Sequence, residues 1–131
     1  MKKLVYKAIE MLLDGNNDVL DCLRKQWKQV EKLEYTDTGV GMFVSFSIST
    51  QVNILNNKHV KDTFPFGDVF GTVDGLFGAI GFIIFVEHGF LKTLEIYSIG
   101  QEFWEKVTDE TELSYDSTPR DIKLLENSWK K

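Results

Sequence analysis

Apolar residues in the first thirty positions recur every three or four residues. Leu4, Val5, Ala8, Ile9, Leu12 and Leu13 fall on one side of a helix, and Asp14-Gly15 supplies a stop signal. Asn16-Asn17-Asp18 offers an N-cap for a second helix, with Val19, Leu20, Leu23, Trp27 and Val30 as its inner stripe. Its outer face carries Arg24, Lys25, Lys28 and Lys32. The pattern predicts a helical hairpin with one apolar side. Tyr35-Thr36-Asp37-Thr38-Gly39 is turn chemistry, after which the period drops from 3.6 to 2. Val40, Met42, Val44, Phe46 and Ile48 share one strand face, and Gly41, Phe43, Ser45 and Ser47 share the other.

Residues 49–65 show no period; Asn53, Asn56, Asn57 and Lys58 predict an exposed loop closed by Phe64-Pro65. Residues 66–73 read as a strand weakened by Gly67 and Gly71, and Asp74-Gly75 as a turn. From 79 to 86 every residue but Gly81 is apolar, the mark of a strand covered on both faces. Glu87-His88-Gly89 breaks the run with hairpin chemistry, and residues 90–97 resume as a strand on which Leu91, Thr93, Glu95 and Tyr97 share a face. Ser117-Thr118-Pro119 starts a short last helix with proline at its first position and Ile122, Leu125 and Trp129 as its inner stripe. The expected fold is α+β: an N-terminal helical hairpin packed on a mostly antiparallel sheet of about four strands, followed by a short C-terminal helix. The hairpin of residues 79–97 lies at the sheet's centre.

At 131 residues the chain is read as a single domain, residues 1–131, with a sizeable core. Its 43% hydrophobic and 27% charged residues suit a globular protein, and a lone Cys22 suits a reducing compartment. Met1-Lys2-Lys3 begins like a signal peptide, but Lys7 and Glu10 interrupt the apolar core that such a peptide needs. The run from 75 to 86 falls short of the ~20 apolar residues of a membrane span. A cytoplasmic location with no membrane partner is therefore expected. Charge is unevenly spread: residues 1–61 carry net +2 and residues 62–131 net −7. Such a balance disfavours direct binding to nucleic acid and favours a basic partner.

Most catalytic chemistries find no support. Cys22, His59 and His88 share no metal-ligand spacing, no Gly-x-Ser-x-Gly elbow is present, and the glycines at 71, 75, 78 and 81 precede no Gly-Lys-Ser/Thr. No metal and no cofactor is expected. Asp68, His88 and Glu95 form the one candidate pocket set, able to do acid–base work if they converge between sheet and helices. The stronger signal is residues 101–116, where Glu102, Glu105, Asp109, Glu110, Glu112 and Asp116 face a single Lys106 and alternate with Phe103, Trp104, Val107, Leu113 and Tyr115. Carboxylates there would steer a basic protein, with Trp104 or Tyr115 as anchoring contact area.

Several segments together carry a likeness: Leu12-Leu13-Asp14-Gly15-Asn16, Leu20-Asp21-Cys22-Leu23-Arg24-Lys25-Gln26, Thr38-Gly39-Val40-Gly41-Met42-Phe43, Gly81-Phe82-Ile83-Ile84-Phe85-Val86-Glu87-His88-Gly89 and Leu94-Glu95-Ile96-Tyr97-Ser98. Over roughly residues 10–100 they resemble a group of small uncharacterised bacterial proteins with a "tGvGff" strand and an "LFv-x-dG-x-L-x-x-LE-x-y" hairpin. His88 stands where that hairpin has an aspartate or its equivalent, and the acidic tail is longer. In style the chain is also similar to the immunity proteins encoded beside bacterial toxins, including those of contact-dependent inhibition. That resemblance implies a non-enzymatic protein that occludes the active site of a cognate, basic toxin domain. Glu102, Trp104, Glu105, Asp109, Glu110, Glu112 and Tyr115 are the expected contact residues. The competing expectations are the pocket of Asp68, His88 and Glu95, and a structural homo-oligomer joined through a sheet edge or helix faces.

Overall fold

A computed structural model describes residues 1–49 and 52–131. Helix α1 (Lys2–Leu13) buries the six residues its pattern singles out and stops at Asp14, whose backbone is extended. Asn17 caps α2 (Asp18–Trp27): its side-chain oxygen accepts from the N–H groups of Val19 and Leu20 at 2.9 and 3.2 Å. The expected continuation of α2 through Val30 and Lys32 does not occur. Trp27 and Val30 are three apart as on a helix, but Val30 opens strand β1 (Val30–Asp37) instead. Only Val30 and Leu33 of β1 are even partly buried, so this outer strand lacks the alternation that marks a half-buried one. The expected turn at 35–39 contracts accordingly to the residues around Gly39, where the Thr38 N–H reaches the Gly41 carbonyl at 2.9 Å.

The remaining strands are β2 (Gly41–Ile48), β3 (Phe64–Val73), β4 (Leu76–Glu87), β5 (Phe90–Ser98) and β6 (Glu112–Tyr115). They form one antiparallel sheet in the order β1-β2-β5-β4-β3-β6. Its six strands correct the expected four, the additions being the two outermost. The β4–β5 hairpin does sit at the centre. Its turn places His88 at φ 52° and Gly89 at φ 83°, the left-handed pair that a two-residue hairpin requires. A Cβ on Gly89 would also lie 2.5 Å from the Ile54 side chain, so this position is closed to larger residues.

Helices cover one face of the sheet. Met42, Val44, Phe46, Phe66, Val69, Ile80, Phe82, Ile84, Leu94 and Ile96 are buried there, with α1 against β3 and β4 and α2 against β5. A register shift between Phe85 and Val86 leaves Lys92 as an extra residue on β5. Leu91 consequently turns into the core opposite Val86 rather than sharing a face with Thr93, Glu95 and Tyr97 as its spacing suggested. Gln26, also fully buried, ties α2 to the hairpin: its amide nitrogen donates to the Asn53 and Gly89 carbonyls, both at 2.9 Å, and its oxygen accepts from the Leu91 N–H at 2.8 Å.

The expected loop at 49–65 includes Thr50 and Gln51, which lie outside the described residues. Its remainder is irregular up to Thr63, with Leu55 buried, whereas Phe64 and Pro65 already belong to β3, paired with Val86 and Phe85. After β5 the chain makes a single turn, α3 (Gln101–Trp104), then β6, and ends in α4 (Ile122–Glu126). Asp121 caps α4 by accepting from the Leu124 N–H at 2.9 Å, so Pro119, in a cis bond with Thr118, lies ahead of the helix rather than at its first position. Among the described residues no helix is long and apolar enough to cross a membrane.

Candidate functional site

Residues 99–111 close the end of the molecule where α1 begins. Trp104 and Val107 point inward and are buried, Phe103 packs against the core, and Ile99 stays 60% exposed; the Trp104 indole N–H donates to Asp37 Oδ1 at 3.3 Å. That burial leaves Trp104 little area to offer a partner. Asp109 is also committed, since its Oδ1 accepts from the Leu4 N–H at 3.0 Å and lies 3.6 Å from the Met1 amino group. There it serves free N–H groups and the positive end of the helix dipole. Tyr115 is half-buried, donates its hydroxyl to the Met11 carbonyl at 2.7 Å, and carries the Arg120 guanidinium 4.7 Å above its ring.

The other carboxylates face outward. Glu110 pairs with Lys3 at 3.6 Å, both exposed, and Lys106 pairs with Asp74. The hydrogen bond to Asp74 and its negative charge raise the Lys106 pKa above the ordinary lysine value. Glu102, Glu105 and Glu112 are exposed and form no ion pair among the described residues. Of the seven expected contact residues, three thus hold the segment in place, one is paired on the surface, and three are unpaired and accessible.

Asp68, His88 and Glu95 are not brought together. Asp68 is buried on the helix side, where Arg120 binds it through two nitrogens at 2.7 and 2.9 Å. His88 occupies the tip of the β4–β5 turn, beside a shallow cleft of about 370 Å³ lined by Phe46, Ile48, Glu87, Phe90, Leu91 and Lys92. Glu95 lies five residues along β5 from Phe90, which follows the turn, about 17 Å at the ordinary strand rise. It is on the sheet face that no helix covers, directly opposite Phe43 and Ile83.

That helix-free face is rich in apolar groups. The register places Phe43, Phe70, Phe77, Ile83, Phe85 and Tyr97 on it, with Phe43 40% and Phe77 49% exposed. A Cβ on Gly81 would fall 2.1 Å from the Tyr97 ring, so the glycine lets the ring lie across β4. The sequence shows the alternation behind this surface, yet its breadth depends on strand order.

Among the described residues no three of His, Cys, Asp and Glu gather to hold a metal ion. Cys22 is half-buried, and burial pushes its pKa above the ordinary thiol value, which keeps it protonated and weakly nucleophilic. Comparison of the chain with family models, curated proteins and solved structures returns no match.

Proposed function

We propose that the chain is a non-enzymatic binding domain that masks a basic protein, in the manner of a cytoplasmic immunity protein shielding a bacterium from a toxin domain. The observation that supports this reading is the construction of residues 99–112. Trp104 and Val107 are buried in the core and Phe103 packs against it, while Glu102, Glu105 and Glu112 stand outward with no ion pair among the described residues. Unpaired surface carboxylates on the acidic half of a chain speed encounter with a cationic surface. A toxin that cuts nucleic acid needs a cationic cleft for phosphates, and carboxylates seated there would exclude its substrate. The separation of Asp68, His88 and Glu95 further favours binding over acid–base catalysis.

Affinity capture from the native host, followed by calorimetry with the purified partner, tests the proposal. The expected partner is a basic domain whose affinity falls as salt rises, and whose toxicity to cells is suppressed by co-expression of this chain. Reversal of all three charges (E102K, E105K, E112K) should weaken binding by about threefold to a hundredfold, since each charged contact contributes about 0.2–1 kcal/mol when exposed. Unchanged affinity would remove this surface from the interface, and an acidic or harmless partner would remove the reading itself.

A further inference from the structure

We propose that the helix-free face of the sheet is a separate docking surface, built to take a polypeptide that lays an arginine side chain onto Glu95. Glu95 occupies the middle of β5, one of the two central strands of a six-stranded sheet. Its directly opposite neighbours are Phe43 on β2 and Ile83 on β4. The residues next to it on the same face are Thr93 and Tyr97 along β5, Gly41 and Ser45 on β2, and Gly81 and Phe85 on β4. None of the eight is cationic. Among the described residues Glu95 has neither an ion pair nor a hydrogen bond from its side chain, although it is half-buried.

A glutamate is a poor strand residue, and here no compensating charge stands beside it among the described residues. A local rule broken without internal compensation marks a functional position. The surroundings select the missing charge. A guanidinium is flat, weakly hydrated and rich in donors, so it can bind a carboxylate through two N–H groups while stacking on rings such as Phe43 and Tyr97.

Size and charge then decide among occupants. The five longer strands, each about 4.8 Å wide and giving about 20 Å of length, make a footprint of about 500 Å². That is enough for the apolar centre of an interface that buries about 800 Å² on each partner. A second copy of this chain is a poor occupant, because a two-fold pairing of these faces would bury two unpaired carboxylates against one another. A basic segment of another protein brings the opposite charge. The assignment does not depend on the acidic end, and the two surfaces can fail independently.

The probe is a capped hexa-arginine peptide titrated into the full chain and followed by amide NMR. Chemical shifts should move at Phe43, Ile83, Glu95 and Tyr97, and affinity should fall with salt. Glu95→Gln should reduce it about tenfold at that face, the loss of one charge-assisted pair, while the E102K/E105K/E112K variant keeps these shifts. Phe43→Ser changes an exposed side chain and should reproduce part of the loss, with thermal unfolding verifying that each variant is folded. Shifts confined to residues 101–112, or undiminished binding by a folded Glu95→Gln, would overturn the proposal. So would a concentration-dependent dimer whose interface maps to the same face.

Discussion

Arg120 joins three parts of the chain that are remote in sequence. Its guanidinium binds both oxygens of Asp68 on β3 and donates to the Leu12 and Asp14 carbonyls, two of the groups that the end of α1 leaves unsatisfied. Asp68 and Arg120 have side chains only 8% and 9% exposed, so removal of one strands the other. Arg120→Ala should therefore cost about 3–5 kcal/mol of stability in urea unfolding, and Arg120→Lys should recover little because an ammonium cannot span both oxygens. Tyr115 gives a pH signature beside it. Burial raises its phenol above the ordinary value of 10.0, against the lowering charge of Arg120. Because the folded pKa is the higher one, its contribution is complete below the unfolded value and is lost as pH rises through the folded value. Alkaline unfolding curves of Tyr115→Phe should lack that loss, and near neutral pH the variant should be about 1 kcal/mol less stable.

At the scale of elements, legibility followed burial. Helices α1 and α2 and strands β2 and β5 bury one side, and each carried a period that the sequence displays. The unbroken apolar run of β4 suggested cover on both faces, although Ile83 and Phe85 lie only half-buried on the helix-free one. Strands β1 and β6 lie at the edges and bury almost nothing but Leu113, so their pattern gave no period to read. The same reasoning explains the candidate sites. Exposed Glu102, Glu105 and Glu112 were legible as an acidic segment, whereas the roles of Trp104, Asp109 and Tyr115 depend on contacts with residues 67 to 105 positions away. Spacing cannot reveal such contacts. Asp109 tests this division directly. As a cap on α1, Asp109→Ala should lower the midpoint of thermal unfolding, by about 1 kcal/mol in free energy, and leave partner affinity unchanged.

Across the whole molecule, charge and topology are both polarised. Lys2, Lys3 and Lys7 on α1 and Lys25 on α2 are exposed beside Glu10 and Asp18, while Glu102, Glu105 and Glu112 occupy the capped end and Glu95 the opposite sheet face. A charged partner approaching such a molecule is turned before it touches, so electrostatic selection acts on its orientation as well as its affinity. The strand order also governs how the chain matures during synthesis. Helix α1 packs on β3 and β4, and α2 packs on β5, although both helices emerge from the ribosome first. Translation at about 5–20 residues per second leaves their apolar stripes uncovered for roughly 4–14 s before β5 is available. Leu4, Ile9, Leu12, Leu20 and Leu23, fully buried at the end, are for that interval the surface that a nascent-chain chaperone would meet.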